Sequence, residues 1–353
     1  MTEAHHPLAQ GKIPNNLLKK LLAGLGADDP TLRVPPGVGE DAAVVAYPSS
    51  EGTDAEELLV LKSDPITFLA EAAARYLVEV NANDIATTGA VPRWMLVTAL
   101  FPPESTFEDV RSTVDDLRAA CSQTGISLCG GHMEITDAVT RPVLSGMLVG
   151  TVTADRLLDK RNIRQGDAVL LTKHVGVEGT AVLAQEMRRE LLDGGVSVKD
   201  ISLGESFVSL IGIGMEARAA TEVDGVRALH DVTEGGVATA LEELSEAGGH
   251  GVDVDMDKIP IHPLTRRICS TLGVDPLGLI GSGSLLIVCA PVAEKSISDS
   301  IRATGSAVTR IGWVGEPEAY VKATRGGRPT RWPTFAVDEA ARILEKKKEG
   351  WGT

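Results

Sequence analysis

Residues Val80–Pro92 read VNANDIATTGAVP, and the rest of the chain is organised around this stretch. The segment before it, AEAAARYLVE, is Ala-rich, with Leu77, Val78 and Val80 at near-helical spacing, and Gly89 and Pro92 supply a stop. This predicts a helix ending near Gly89, with Asn81 and Asp84 three residues apart on one face. Asn and Asp side chains compete for backbone hydrogen bonds and weaken helix interiors. Asn81, Asn83 and Asp84 therefore point to chemistry, set against the plainer reading of a frayed last turn with solvated polar groups.

Upstream, the pattern predicts an amphipathic helix near residues 15–25, broken by Gly24, Gly26 and Pro30. PPGVGEDAAVVAY follows at Pro35–Tyr47. Gly37 and Gly39 permit a tight turn or a close approach to a ligand, and Asp41 stands at the mouth of a strand predicted over 42–46. A second acid, Asp64, comes directly after the β-run predicted over 58–62. A carboxylate at a strand end suits a metal ligand, and an acidic β-turn is the alternative. Downstream, strands are predicted over 94–101, 126–129 and 141–152, with a helix over 107–122. The second of these strands is expected to end in a turn at Gly130, Gly131, His132 and Glu134. The third, only weakly alternating, predicts burial on both faces.

Composition bounds the function. The 353 residues are 43% hydrophobic, 24% charged and only 3% aromatic, with a formal net charge of −15. Aliphatic residues must do the packing, which fits an α/β protein. The acidic balance argues against non-specific binding to nucleic acid or to an anionic membrane, and suits a metal-dependent site. Cys121, Cys129, Cys269 and Cys289 are widely spaced and include no CxxC pair, so neither zinc nor a disulfide framework is signalled. No apolar run reaches the ~18 residues of a spanning helix. A cytoplasmic protein is the expectation.

A charged stretch at 153–166 marks the expected boundary between domains at 1–155 and 156–353. The second half restarts with a strand over 167–173. HVGVEG leads into a helix predicted over 180–191, a loop over 193–203 and a helix over 205–220. In LHDVTEGGVATALEELSEAGG a strand ends at Asp231, and Gly235 and Gly236 open a helix whose free amides favour an anion. Thr233 as a plain structural cap is the alternative. The tail over 338–348 reads as a charged surface helix. Lys62, Arg93 and Lys173 are candidate phosphate partners.

GVGEDAAVV, LKSDPITF, VNANDIATTGAVP, CGGHMEIT, GDAVLLTKHVG, HDVTEGGVATALEEL and GSGSLLIV, in this order, resemble the aminoimidazole ribonucleotide synthetase superfamily, which includes thiamine-monophosphate kinase, selenophosphate synthetase and HypE. The likeness runs from about Gly37 to about Gly315, and the second-half motif is most like that of HypE. It implies a two-domain α/β (α+β) fold: an N-terminal sheet forming a homodimer interface and a C-terminal α/β sandwich. It also implies ATP with Mg2+ in a cleft, and phosphorylation of an oxygen. Carried across by motif, Asp41, Asp64 and Asp84 would hold magnesium. Gly37, Gly39, Asn81, Asn83, Gly130, Gly131, Gly235 and Gly236 would border the nucleotide. Asp231 would act at the phosphate and substrate cleft. Where relatives have Gly-Gly-Asp or Gly-Gly-Glu this chain has Gly130-Gly131-His132, so His132 takes a different role or Glu134 replaces the acid. HypE ends in a cysteine, whereas KKKEGWGT has none, and the usual HypE reaction is not expected.

The metal logic also stands on elementary chemistry. Mg2+ takes oxygen ligands, typically one or two carboxylates with phosphates and waters, and phosphoryl transfer needs positioning and charge neutralisation more than a protein nucleophile. The leading expectation is an ATP-dependent enzyme that phosphorylates a carbonyl, carboxamide or phosphate oxygen of a small-molecule substrate. The rivals are a thiamine-monophosphate-kinase-like small-molecule kinase and a non-catalytic nucleotide-binding protein that serves a maturation partner.

Overall fold

The organising helix forms over Ala73–Thr87, and Gly89, at φ 79°, takes the left-handed turn that ends it. In the computed structural model the described residues are 15–23, 29–47, 56–67 and 72–350, without the side chains of 348–350. Leu77, Val78 and Ile85 on this helix are wholly buried, and they join the core laid down on one face of a six-stranded sheet. Its strands are β1 (Leu32–Val34), β2 (Ala43–Ala46), β3 (Glu57–Ile66), β4 (Val91–Phe101), β5 (Ser127–Ile135) and β6 (Val143–Thr153), in the order β1-β2-β3-β6-β4-β5. Neighbours are antiparallel except β4 and β5. Helix Phe107–Thr124, opened by a reciprocal Thr106–Asp109 capping box, lies against the helix Ala73–Thr87.

The second half builds a seven-stranded sheet from β7 (Ala168–Thr172), β8 (Val226–Asp231), β9 (Val252–Asp255), β10 (Leu285–Cys289), β11 (Val308–Val314), β12 (Val321–Arg325) and β13 (Arg328–Thr330), in the order β13-β12-β9-β11-β7-β10-β8. β7 and β10 are buried at every position, as central strands covered on both faces must be. Helix Gly236–Gly248 packs on one face of this sheet. Helices Gly214–Thr221 and Glu294–Ala303 belong to the core on the other. The whole is the expected mixed α/β (α+β) architecture. No helix among the described residues is long and apolar enough to cross a membrane.

Several local expectations give way to tertiary pairing. β3 does not stop before Ser63 but runs through Asp64 and Pro65 to Ile66, in register with β6 up to Leu144. Its pairing with β2 ends at Leu61, so Pro65 sits where one edge is open and its missing N–H disturbs no ladder on that side. The expected turn at Gly130–Glu134 is likewise strand: β5 continues alongside β4, with Leu96 beside Gly130 and Val97 beside Gly131. A Cβ on Gly131 would fall 1.8 Å from the Val97 carbonyl oxygen, and its φ of 147° disfavours other residues, so the close pairing requires glycine there.

β6 alternates cleanly rather than being buried on both faces: Leu144, Leu148 and Val152 point to the helices, while Met147 is 42% exposed. The expected loop over 193–203 contains helix Val198–Glu205, capped by Ser197, and the expected long helix beyond it breaks into Ser206–Leu210 and Gly214–Thr221. The first helix spans Asn15–Leu22, and the rest of that expectation falls outside the described residues. Helix Glu339–Gly350 buries Ala340 and Ile343 and is not a free surface helix.

Candidate active site

Four carboxylates on four elements line one cavity of about 1040 Å³. Asp41 precedes β2, Asp64 lies within β3, Asp84 is on helix Ala73–Thr87, and Asp231 ends β8 in the second sheet. The helix can present Asp84 there because its neighbours tie it to both halves of the chain. Asn81 accepts from the Asp64 amide at 3.0 Å through its carbonyl and donates to the Leu77 oxygen at 2.8 Å. Asn83 donates to the Ile211 oxygen at 2.9 Å and accepts from the Ile213 amide at 3.0 Å. These two asparagines, assigned to the nucleotide from sequence, hold backbone, and neither lines the cavity.

The acids are balanced by buried cations. Lys160 donates to Asp41 at 2.8 Å, both side chains being 6% exposed, and His230 Nδ1 lies 2.9 Å from the same carboxylate. On its other side His230 Nε2 faces Glu243 at 3.5 Å. Burial alone would raise the Asp41 pKa, but His230 and Lys160 outweigh it and hold the carboxyl far below the usual range. Burial likewise opposes the charged His230, yet Asp41 and Glu243 push its pKa up to about 9. Lys62 bridges Asp64 and Asp84 at 3.0 Å each. It therefore works here as a carboxylate partner.

Asp231 has no cation in direct contact, and Asp84 has only the Lys62 that it shares with Asp64. Burial, together with the neighbouring acids, raises the Asp84 pKa well above normal despite Lys62. Burial and Asp41 raise Asp231 to about 7, and its Oδ2 has no hydrogen-bond partner. Ligand atoms of Asp41, His230 and Asp231 come within 4.8 Å of one another. An oxygen-rich donor set with an orphaned buried carboxylate oxygen fits a hard divalent cation such as Mg2+. Of the four acids only Asp41 and Asp231 belong to that close group; Asp64 and Asp84 line the same cavity and would reach such a cation only as it arrives with nucleotide phosphates.

Other sequence-assigned residues are placed as follows. Gly37 and Gly39 line the cavity. Gly235 does not. Its amide, expected to receive an anion, is taken by the Asp338 carboxylate at 2.8 Å, and a Cβ on Gly236 would strike the Leu277 oxygen at 2.5 Å. Gly235 rather than Thr233 caps the helix there. Gly130, Gly131, His132 and Glu134 lie on β5, outside the cavity of this chain, with His132 and Glu134 exposed. Lys173 is bonded to Glu216 at 2.7 Å and to the oxygens of Gly212 and Gly283, and Arg93 is exposed on β4.

Sequence reading missed Lys160, which the charged run at 153–166 contains, and gave no role to His230 beside Asp231. It also missed Glu178, on the first turn of helix Val177–Glu186. This residue is 1% exposed and lines the cavity. Burial pushes its carboxyl pKa up to about 8, and the unfolded chain would titrate near 4.5. Between those values the native state holds a proton that the unfolded state has lost, so stability falls as pH rises through this window and levels above about 8. Asp338, raised by burial to about 6, acts in the same sense below that pH. The urea midpoint of the ligand-free protein should decline from pH 5 to pH 8, and Glu178→Gln should flatten the decline. A midpoint that rose with pH across this range would refute the assignment.

Two profiles of AIR synthase related protein match the sequence, the N-terminal domain over residues 39–152 and the C-terminal domain over 164–322. Carbamoyl dehydratase HypE of Cupriavidus necator is 28% identical over 288 residues, covering 79% of this chain and 77% of that protein. Among solved structures, the hydrogenase maturation protein HypE in complex with ATP superposes with a TM-score of 0.68 at 21% identity, covering 94% of this chain and 98% of that one. AaThiL complexed with AMPPCP and TMP gives 0.66 at 19% identity, covering 91% and 95%.

Proposed function

The chain belongs to the AIR synthase related family, and from that premise we propose that it is an ATP-dependent enzyme that transfers a phosphoryl group to an oxygen of a small molecule in a magnesium-assisted site. The observation that carries this reading is the convergence of Asp41, Asp64, Asp84 and Asp231 from both sheets on one cavity, with two of them short of countercharge. That HypE has been solved with ATP, and AaThiL with AMPPCP, supports it.

The chain's own residues supply positioning and charge. A bound Mg2+ would neutralise phosphate oxygens and so lower the barrier to transfer. Lys62 and Lys160, held at the same carboxylates, keep the cluster from repelling an incoming polyanion. The Asn81 and Asn83 backbone clamps fix the helix that carries Asp84, so the acids do not have to reorganise at the moment of reaction. The test is steady-state ADP release with magnesium across a panel of small-molecule acceptors. Nucleotide binding without acceptor-dependent turnover would instead favour a binding protein that serves a maturation partner, as the solved HypE-HypF complex illustrates for HypE.

Assembly is part of the same proposal. On the face of the first sheet opposite its helices, Val91, Trp94, Leu96 and Met147 are each between 42% and 52% exposed. Leu96 pairs with Met147 and also with Gly130, so they form one patch spanning β4, β5 and β6. Isolated exposed apolar residues are ordinary, but a contiguous patch marks an interface. A second copy of this chain packed there would cover it, and would meet His132 and Glu134 on the same side of β5. Light scattering at micromolar concentration should give a dimer, and Leu96→Glu with Met147→Lys should give a folded monomer. A monomeric parent protein would refute this assembly.

A further inference from the structure

The cavity has a second acidic end that the magnesium site does not use. Glu178 stands at the start of helix Val177–Glu186, Glu234 follows β8, Ser282 precedes β10, and Asp338 precedes helix Glu339–Gly350; all four line the cavity. Glu178 is 1% exposed, and its Oε2 has no hydrogen-bond partner. Ser282 contributes hydrogen bonds to its carboxyl group from both hydroxyl and backbone, which fixes its orientation. After burial and these bonds, the charges acting most on Glu178 are Glu234 and Asp338, both repulsive. The same Glu234 repels Asp338. At the other end of the cavity Asp41, Asp64 and Asp84 each have a lysine or histidine within 3.0 Å, whereas no lysine or arginine among the described residues forms an ion pair with Glu178, Glu234 or Asp338.

A buried carboxyl oxygen without a partner is costly, and it persists where a ligand supplies the missing interaction; a cation arriving there would displace the proton that Glu178 holds in the ligand-free protein. A metal ion is a poor candidate for that ligand. The only donor group among the described residues that closes within 4.8 Å is Asp41, His230 and Asp231, so Glu178, Glu234 and Asp338 are too spread to surround one ion. A spread of acceptors suits an organic cation, whose several N–H bonds radiate to separate oxygens. Phosphate would be repelled there, and an uncharged polyol would leave the acidic end uncompensated.

We propose that Glu178, Glu234, Asp338 and Ser282 form the acceptor pocket, and that the phosphoryl acceptor carries a protonated nitrogen, an amine or amidine, which these groups hold while its oxygen faces the aspartate cluster. This rests on the reading of the cavity as a phosphoryl-transfer site. In the transfer the acceptor oxygen forms a bond to the γ-phosphorus of ATP as the bond to the β-γ bridging oxygen breaks. ADP leaves with that electron pair, and the acceptor's hydroxyl proton is released to solvent. The protonated nitrogen changes no bond. It sets which molecule binds and which oxygen is presented.

The probe is ethanolamine, which joins a hydroxyl to an ammonium group, against ethylene glycol, which matches it in size without the charge. Ligand-observed NMR titrations on the full chain should show ethanolamine binding at least tenfold more tightly than the glycol. Glu178→Gln keeps the side chain's shape and should weaken ethanolamine at least fivefold. Glu234→Gln, at an exposed position, should weaken it measurably in the same direction. Equal affinity for the two probes, or amine binding indifferent to both substitutions, would overturn the proposal. Binding of a fluorescent ATP analogue to the unaltered protein is measured separately. Its failure would sink the phosphoryl-transfer reading, while amine selectivity is still decided by the titration.

Discussion

Asp41→Asn should destabilise the ligand-free protein by about 3–5 kcal/mol, the usual penalty for removing one partner of a buried ion pair. Asp41 is the common partner of Lys160 and His230, and all three side chains are 6% exposed or less. The amide would leave the Lys160 ammonium in a buried site with only the more distant Glu40 and Asp231 to answer it, and would remove the charge that keeps His230 protonated. The loss reaches both halves of the chain, because Asp41 belongs to the first sheet's segment while His230 lies on β8. Urea denaturation at pH 7 reads the effect as a lower midpoint with an unchanged slope. A midpoint within experimental error of the parent's would show that the pairing is not built into the folded state as described.

How far sequence alone reaches can be judged at particular residues. Asp41, Asp64, Asp84 and Asp231 were singled out by strand ends, glycines and motif order, and the fold brings all four to one cavity. Asn81 and Asn83 were singled out by the same logic and serve backbone instead, since a helix-interior amide that bonds another segment looks in sequence like one that bonds a ligand. Gly130 and Gly131 looked like a ligand-cradling turn, yet the glycine requirement at Gly131 comes from strand-to-strand approach at Val97, which is 34 residues away in sequence and invisible to local pattern. Lys160 and Glu178 carried no local signal at all. A lysine in a charged run and a glutamate in a helix's first turn are ordinary surface features, and only tertiary burial distinguishes these two. The tail helix went astray for the opposite reason. Its lysines suggested solvent, while Ala340, Ile343 and Leu344 on one stripe pack it against the second half and the cavity.

Asp84→Asn is expected to behave in the reverse way from Asp41→Asn: magnesium-dependent ATP binding should weaken tenfold or more, about 1.4 kcal/mol, while ligand-free stability holds or rises. Burial and three neighbouring acids already work against the charged form of Asp84, with Lys62 as the counterweight. Removing that charge relieves repulsion from Asp231, Asp64 and Asp41, and Lys62 keeps Asp64 at 3.0 Å. An acid that the empty site tolerates poorly is one whose charge is best satisfied by a divalent cation arriving with its nucleotide, so its cost to the fold and its value to binding have the same origin. Calorimetric titration with ATP, with and without magnesium, and urea denaturation of the same sample separate the two effects. Weaker binding accompanied by a matching loss of stability would make Asp84 a structural residue. Unchanged affinity with magnesium present would remove it from the metal site.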